Sequence, residues 1–253
     1  MATAAVLSDG VSRGRFLALR LGIGRPGTLV PLRVAALGGH PLWVRPRSGD
    51  HDLITEDCVH GFADPPAELA GRQLSTIVEL GTNIGVGLCL LAHRHAAAHL
   101  LGVEAHPGSA ALAQRNVRPW ADRVQVLHSA VWPRAGHVVL DQGSGKHSGF
   151  TVREADGGEH AELKVWARTV EEILEDFRPG RPVDYLYMDI EGTHHRLLHG
   201  DAPWLQRVRA IKVAGHAGTD YSDADCAGDL ARQGFEARVE PYEPVGWAVG
   251  VRP

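Results

Sequence analysis

From residue 76 onward, short apolar runs alternate with longer stretches whose apolar residues recur at helical spacing. The runs at 76–80, 100–104 and 124–128 read as strands, and the stretches 85–95 and 108–117 between them read as helices. That alternation predicts a parallel sheet covered by helices. It resumes with a helix over 170–177, strands at 185–189 and 208–213, and a helix over 223–233. Two closing strands near 235–239 and 247–251 have no helix between them, which predicts an antiparallel hairpin at the sheet edge. Between 136 and 166 the pattern weakens and Gly143, Gly145, Gly149, Gly157 and Gly158 interrupt it, so this stretch is either a β insertion or a mobile loop. Ahead of the domain, apolar runs at 29–30 and 41–45 are punctuated by Pro31, Gly38, Gly39, Pro46 and Gly49, which predicts short strands and tight turns. Pro65 and Pro66 break any helix and mark a connector. The division expected is a small N-terminal β extension over 1–70 and an α/β, doubly wound domain over 71–253.

Composition narrows the partner. The 253 residues carry a net charge of −4, with no basic surplus to neutralise a phosphate backbone, so a small molecule is expected rather than nucleic acid. No apolar stretch approaches the roughly 20 residues that a bilayer span needs, so no membrane partner is expected. Asp9, Arg13, Arg15 and Arg20 interrupt the N-terminal apolar residues and leave no secretory pattern, which makes the cytoplasm the expected compartment. Cys58, Cys89 and Cys226 have no CxxC spacing, so neither a disulfide framework nor a thiolate zinc site is expected.

The chemistry concentrates at strand ends. Residues 77–87, Ile-Val-Glu-Leu-Gly-Thr-Asn-Ile-Gly-Val-Gly, run from a strand through a glycine turn into a helix. Gly81 permits the turn, Asn83 lies within it, and Gly85 and Gly87 permit close approach at the helix start. Glycines at the first and fifth positions, with Glu79 two residues before the first, resemble the signature of class I methyltransferases that use S-adenosylmethionine. On that resemblance Glu79 holds the methionine ammonium directly or through water. Glu104 ends the next strand about 20 residues beyond the turn, where doubly wound folds place an acid for ribose hydroxyls. Ser129 and Ala130, after the third strand, are placed to border the adenine. The competing cofactor is a nicotinamide dinucleotide, whose GxGxxG spacing is absent.

Val183-Asp184-Tyr185-Leu186-Tyr187-Met188-Asp189-Ile190-Glu191-Gly192 resembles the FkbM family of methyltransferases, in which the fourth strand runs into an Asp-hydrophobic-Glu-Gly turn. Trp43-Val44-Arg45-Pro46 with Asp50 and Asp52, Glu104-Ala105-His106-Pro107, and Arg168-Thr169-Val170-Glu171-Glu172-Ile173-Leu174 resemble further segments of that family. The resemblance implies a Rossmann-like class I methyltransferase sheet and methyl transfer from S-adenosylmethionine to a hydroxyl, often on a sugar or secondary metabolite. An alcohol attacks only as a base takes its proton. Asp189 and Glu191 at the carboxyl end of their strand are the acidic candidates, and His216, after the strand at 211–214, is the first choice for the base. The alternative is a divalent metal on Asp189, Glu191 and His216 that acidifies the hydroxyl; direct proton removal is preferred. The chain departs from the family at Tyr187 in place of lysine, and at His194 and Gly215 in place of acids, which keeps a noncatalytic descendant as an alternative. A nicotinamide oxidoreductase is the more distant one.

His95 and His99 have metal-compatible spacing but no third ligand nearby and read as solvated. His194, His195 and His199 follow the Asp189 turn and read as a surface helix start, with a substrate contact as the alternative. Lys146 and His147 lie in a glycine-rich loop that either closes over a polar acceptor or is a plain surface excursion. Trp120, Trp132, Trp166 and Trp204 read as core or shell packing.

Overall fold

Asp9 starts the first helix, because its Oδ1 accepts the Ser12 amide at 2.7 Å and caps α1 (Gly10–Arg20). The computed structural model describes residues 6–142, 150–154, 163–190, 193–215, 221–242 and 246–253. Strands β1 (Val30–Arg33) and β2 (Pro41–Val44) pair antiparallel, with Val30 opposite Val44, as the short apolar runs predict. The turn after β2 is locked by a buried carboxylate. Asp50 accepts the Arg45 amide at 2.8 Å and the Arg45 guanidinium at 2.9 and 2.7 Å, and Arg45 also reaches Ser109 Oγ at 3.2 Å. Asp50 is 1% exposed, so losing Arg45 would strand a buried charge. This clamp sets the start of α2 (Asp50–Val59).

Neither α1 nor α2 is apparent from periodicity: α1 is interrupted by Gly14 and arginines, and α2 buries one apolar side chain, Ile54, in an otherwise acidic sequence.

The central sheet begins with β3 (Thr76–Leu80), followed by α3 (Val86–Arg94), β4 (His99–Glu104), α4 (Pro107–Asn116) and β5 (Val124–His128). The weakly patterned stretch then proves to be β structure: β6 (Ala130–Val131), β7 (Gly136–Gln142), β8 (Phe150–Glu154) and β9 (Leu163–Arg168) form a separate sheet in the order β6-β9-β7-β8. Helix α5 (Val170–Phe177) starts at a capping box of Thr169 and Glu172, and β10 (Tyr185–Met188), α6 (His194–Leu198), β11 (Ala210–Ala214), α7 (Asp223–Arg232), β12 (Glu236–Glu240) and β13 (Trp247–Val251) complete the chain.

The strands of the large sheet lie in the order β12-β13-β11-β10-β3-β4-β5. From β11 to β5 they are parallel, while β13 runs antiparallel to both β11 and β12, so the predicted hairpin closes the edge. This is the doubly wound, Rossmann-like sheet of class I methyltransferases, and its order reverses between β3 and β10. A ligand crevice belongs outside the carboxyl ends at such a switch point. Every residue of β3 is buried, which the sequence shows as an unbroken run of Thr76, Ile77, Val78 and Leu80 around one acid. Ile77 packs with α3, α4 and the N-terminal segment in one core cluster, and Val78 and Leu80 pack with α5, α6 and α7 in the other. The extension therefore covers the same sheet face as α3 and α4.

Candidate active site

At the switch point the backbone of β3 and β10 comes too close for a side chain. Asp189 N donates to Leu80 O at 2.8 Å, and a Cβ on Gly81 (φ +88°) would lie 1.9 Å from Asp189 O. Glycine is thus required both by the left-handed conformation and by the contact. Asn83 continues the turn at φ +48°. Gly85 and Gly87 serve packing: a Cβ on Gly85 would meet Ala113 of α4 at 3.2 Å, and one on Gly87 would meet Glu79 Oε1 at 2.6 Å and Ala63 at 2.7 Å. The close approach expected at the helix start is made by the protein's own side chains.

Two carboxyl groups occupy the ends of β3 and β4. Glu79 is 3% exposed and accepts the Thr82 hydroxyl at 2.7 Å. Burial raises its pKa well above the ordinary carboxyl value, with Asp57, Asp189 and Glu104 adding to the rise and the Thr82 bond opposing it. Glu104 accepts the Asn83 amide at 2.9 Å on one oxygen and the His106 amide at 2.8 Å on the other. Each oxygen keeps a second lone pair for a ribose hydroxyl. Burial still wins over those bonds and moves its pKa upward.

A cavity of about 270 Å³ brings Glu79, Gly81, Asn83, Glu104, Ser129 and Asp189 together. Gly85 and Ala130 are not among its lining residues. Ala130 instead pairs with Ala167 and packs with Trp132 and Leu140 beneath the inserted sheet. Ser129 Oγ lies 2.8 Å from Ala130 O and 3.0 Å from Trp166 O, so its single proton is directed at the backbone. Asp189 Oδ2 accepts the Tyr187 hydroxyl at 3.3 Å. Glu191, His216, Lys146 and His147 lie outside the described residues. Among the described residues no group of three or more His, Cys, Asp or Glu could hold a metal ion, and of Asp189, Glu191 and His216 the structure describes Asp189 alone.

The rest of the cavity lining comes from residues to which sequence reasoning assigned no role, and one of them, Asp57, lies beside Glu79: the Cβ position at Gly87 is 2.6 Å from Glu79 Oε1 and 3.5 Å from Asp57 Oδ1. Glu56 and Asp57 enter from α2, and Phe62, Tyr242 and Trp247 supply an aromatic wall. Phe62 meets Tyr242 edge-on at 4.8 Å and Trp247 at 5.0 Å. Burial, with Asp189 and Asp52 nearby, pushes the Glu56 carboxyl up to about 7. Burial, with Glu56 and Asp189 nearby, pushes Asp57 to about 8. Behind the wall, Lys212 Nζ sits 4.3 Å over the Trp247 ring and 3.5 and 3.4 Å from the carbonyls of Gly61 and Asp64, tying the loop that carries Phe62 to β11. Lys212 pairs in register with Tyr187, so the lysine absent from the fourth strand has a counterpart on the next one. Burial lowers its pKa.

Gly215 is a second steric necessity: a Cβ there would lie 2.0 Å from Asp223 Oδ1, and Asp223 Oδ2 accepts the Gly246 amide at 2.9 Å. The acid missing at position 215 is matched by one delivered beside it from α7. His194 is buried at 3% exposure against Tyr221, in contrast to the surface reading, whereas Trp166 is 53% exposed and stacks edge-on with His137. Trp120, Trp132 and Trp204 are buried as expected.

No curated protein matches the chain. Among solved structures it is similar to the N-terminal domain of human METTL16 in complex with SAH, at 15% identity and a TM-score of 0.43 over 80% of this chain and 68% of that one. It is also similar to precorrin-6y C5,15-methyltransferase from Geobacter metallireducens GS-15, at 12% identity and a TM-score of 0.47 over 74% and 85% of the two chains. Neither similarity bears on substrate. The family described as Methyltransferase FkbM domain matches residues 79–223, from the acid of β3 through the glycine turn, Glu104 and the Asp189 turn to the first residue of α7. That span is more than half of the 253 residues and contains the sheet's switch point, and the chain therefore belongs to the FkbM methyltransferase family.

Proposed function

We propose that this S-adenosylmethionine-dependent methyltransferase acts on a hydroxyl of a small, polyhydroxylated molecule such as a sugar-bearing secondary metabolite. The observation that carries the reading is the single cavity that joins the carboxylates of β3 and β4 to an aromatic wall. The residues present fit the cofactor. Gly81 leaves the switch point free of a side chain, Glu104 has acceptor capacity left for ribose, and Glu79 lines the same cavity and is the candidate partner of the ammonium. Five carboxyl groups, Glu56, Asp57, Glu79, Glu104 and Asp189, line the cavity and suit a sulfonium better than an anion. When bound, S-adenosylmethionine supplies a methyl group already activated by its sulfonium.

The chain must then hold the acceptor and manage one proton. Phe62, Tyr242 and Trp247 give the cavity an apolar side for the apolar surface of a cyclic polyol, and the carboxyl groups accept hydrogen bonds from its hydroxyls. An anionic acceptor is disfavoured by the same carboxyl groups. His216, directly after Gly215, remains the first choice for the base, with Asp189 and Glu191 as the acidic partners. Asp189, which accepts the Tyr187 hydroxyl, orients the polar side of the cavity.

The test is incubation with methyl-labelled S-adenosylmethionine and a panel of sugars, amines and carboxylic acids. Label recovered as a base-stable ether supports the reading; label on nitrogen or as an ester overturns it.

A further inference from the structure

We propose that α1 and the turn after it dock on an anionic lipid surface. Val11, Leu17, Leu21 and Ile23 are 64%, 59%, 67% and 58% exposed, the most exposed of the large apolar side chains described. The other face of α1 is already used, since Ser12, Phe16 and Leu19 are buried against the protein. At 100° per residue, Leu17, Leu21, Gly14, Ala18 and Val11 fall on one stripe, with Arg13 and Arg20 along one border and Arg15 along the other. Arg25 follows Ile23 in the turn.

The charge on this segment does not follow that of the whole chain. Residues 9–25 hold four arginines and one acid, Asp9, a net +3, while the chain carries −4, so the remainder carries −7. Asp9 is occupied in capping the helix. Arg13 donates to Leu7 O at 3.3 Å and Arg15 to Pro31 O at 3.0 Å. Among the described residues no carboxylate pairs with Arg13, Arg15, Arg20 or Arg25.

An apolar stripe bordered by arginines matches a bilayer interface, where apolar side chains enter the acyl boundary and guanidinium groups reach the lipid phosphates. A second copy meeting the same patch across a two-fold axis would set arginine against arginine. Side chains this exposed form a ridge rather than a groove, which suits insertion between headgroups. No described helix is long and apolar enough to cross a membrane, so the contact is peripheral. Because α1 packs on α2 through Phe16 and His51, with ring centroids 6.2 Å apart, docking would bring the helix that carries Glu56 and Asp57 close to the lipid surface.

The experiment is co-sedimentation with vesicles of phosphatidylcholine containing phosphatidylglycerol, beside vesicles of phosphatidylcholine alone. The full chain should bind the anionic vesicles and release them in high salt. Leu17→Glu/Leu21→Glu should weaken binding at least ~10-fold, and Arg20→Gln/Arg25→Gln about 10-fold. Both variants should keep the wild-type circular dichroism and binding of S-adenosylhomocysteine, because these side chains are exposed and none of them lines the cavity. Failure of wild type to bind anionic vesicles, or equal binding by Leu17→Glu/Leu21→Glu, overturns the proposal. Conversion of a wild-type dimer to a monomer by that variant overturns it in favour of a second copy. Binding to soluble polyglutamate as tight as to vesicles overturns it in favour of an acidic protein.

Discussion

The two ends of the crevice are assembled differently. The cofactor end comes from consecutive strand ends between Glu79 and Ser129, and its shape is dictated by backbone that approaches within the radius of one methyl group, at Gly81 against Asp189. The acceptor end gathers Phe62 from the loop after α2, and Tyr242 and Trp247 from the last two strands and the turn between them, while α2 brings Glu56 and Asp57 to the crevice, Asp57 beside Glu79. Its shape rests on side-chain packing and on charges held out of water. The first end should therefore be brittle and specific, and the second tolerant and tunable.

Gly81→Ala is the harshest way to break that comparison, because the new β carbon would collide with the Asp189 carbonyl in a buried sheet. A cost of about 3 kcal/mol or more is expected from strain and displacement, seen as a lower Tm and loss of S-adenosylhomocysteine binding by calorimetry. Wild-type affinity in this variant would show that β3 and β10 are not locked.

Glu104→Ala tests the same end without moving backbone. Removing an acceptor of ribose hydroxyls should weaken S-adenosylhomocysteine binding by about 10- to 100-fold, in line with ~1.5–3 kcal/mol for hydrogen bonds to a charged group. It also removes the acceptor for the Asn83 and His106 amides, so Glu104→Gln, which retains an acceptor oxygen, should recover part of the loss.

The side of the crevice that α2 supplies can be sharpened with pH. Glu56 and Asp57 have pKa values raised by burial to about 7 and 8, so between the ordinary carboxyl range and pH 8 the folded chain holds protons that the unfolded chain has released. Their contribution to stability is therefore fully present below the ordinary carboxyl range, declines as pH rises above it, and is gone once pH has passed 7 to 8. Calorimetry of the ligand-free protein should show Glu56→Gln/Asp57→Asn to be less sensitive to that rise than wild type, with a Tm higher by about 3 °C at pH 8.5, near ~1 kcal/mol for a chain of this size. The preference for cationic S-adenosylmethionine over neutral S-adenosylhomocysteine should grow over the same interval in wild type and less in the variant. A variant with the wild-type slope would remove these carboxyls from the cavity's electrostatics.

The mildest effect is expected at the aromatic wall. Phe62→Ala should leave S-adenosylhomocysteine affinity within about twofold while raising the acceptor KM several-fold, as stacking worth ~0.5–1.5 kcal/mol is lost. Cofactor affinity falling in step with acceptor affinity would show that the two ends are not separable.

The same contrast explains what the sequence discloses. The unbroken β3 run, the glycine turn and an acid at the end of β4 are local features, so the switch point and its lining residues can be read directly. Gly85 and Ala130 show the limit of local reading, since the chain turns one toward α4 and diverts the other into β6. Glu56 and Asp57 lie in what reads as an ordinary solvated helix, and α2 packs against α3, with Asp57 Oδ1 3.5 Å from the Cβ position at Gly87. Asp223 beside Gly215, and Lys212 beside Tyr187, restore chemistry missing at one position from another element, which requires knowing the strand register. Helix α1 shows no single apolar stripe, because Gly14 and the arginines interrupt it and Val11 and Leu17 lie on the face opposite the buried Phe16 and Leu19.

A crystal structure of the chain with S-adenosylhomocysteine tests the central claim most directly. The ribose hydroxyls should lie on Glu104 and the sulfur should face Asp189 and the aromatic wall. A nucleoside bound elsewhere, or one in the crevice with Glu104 still bonded to Asn83 and His106 alone, would contradict it.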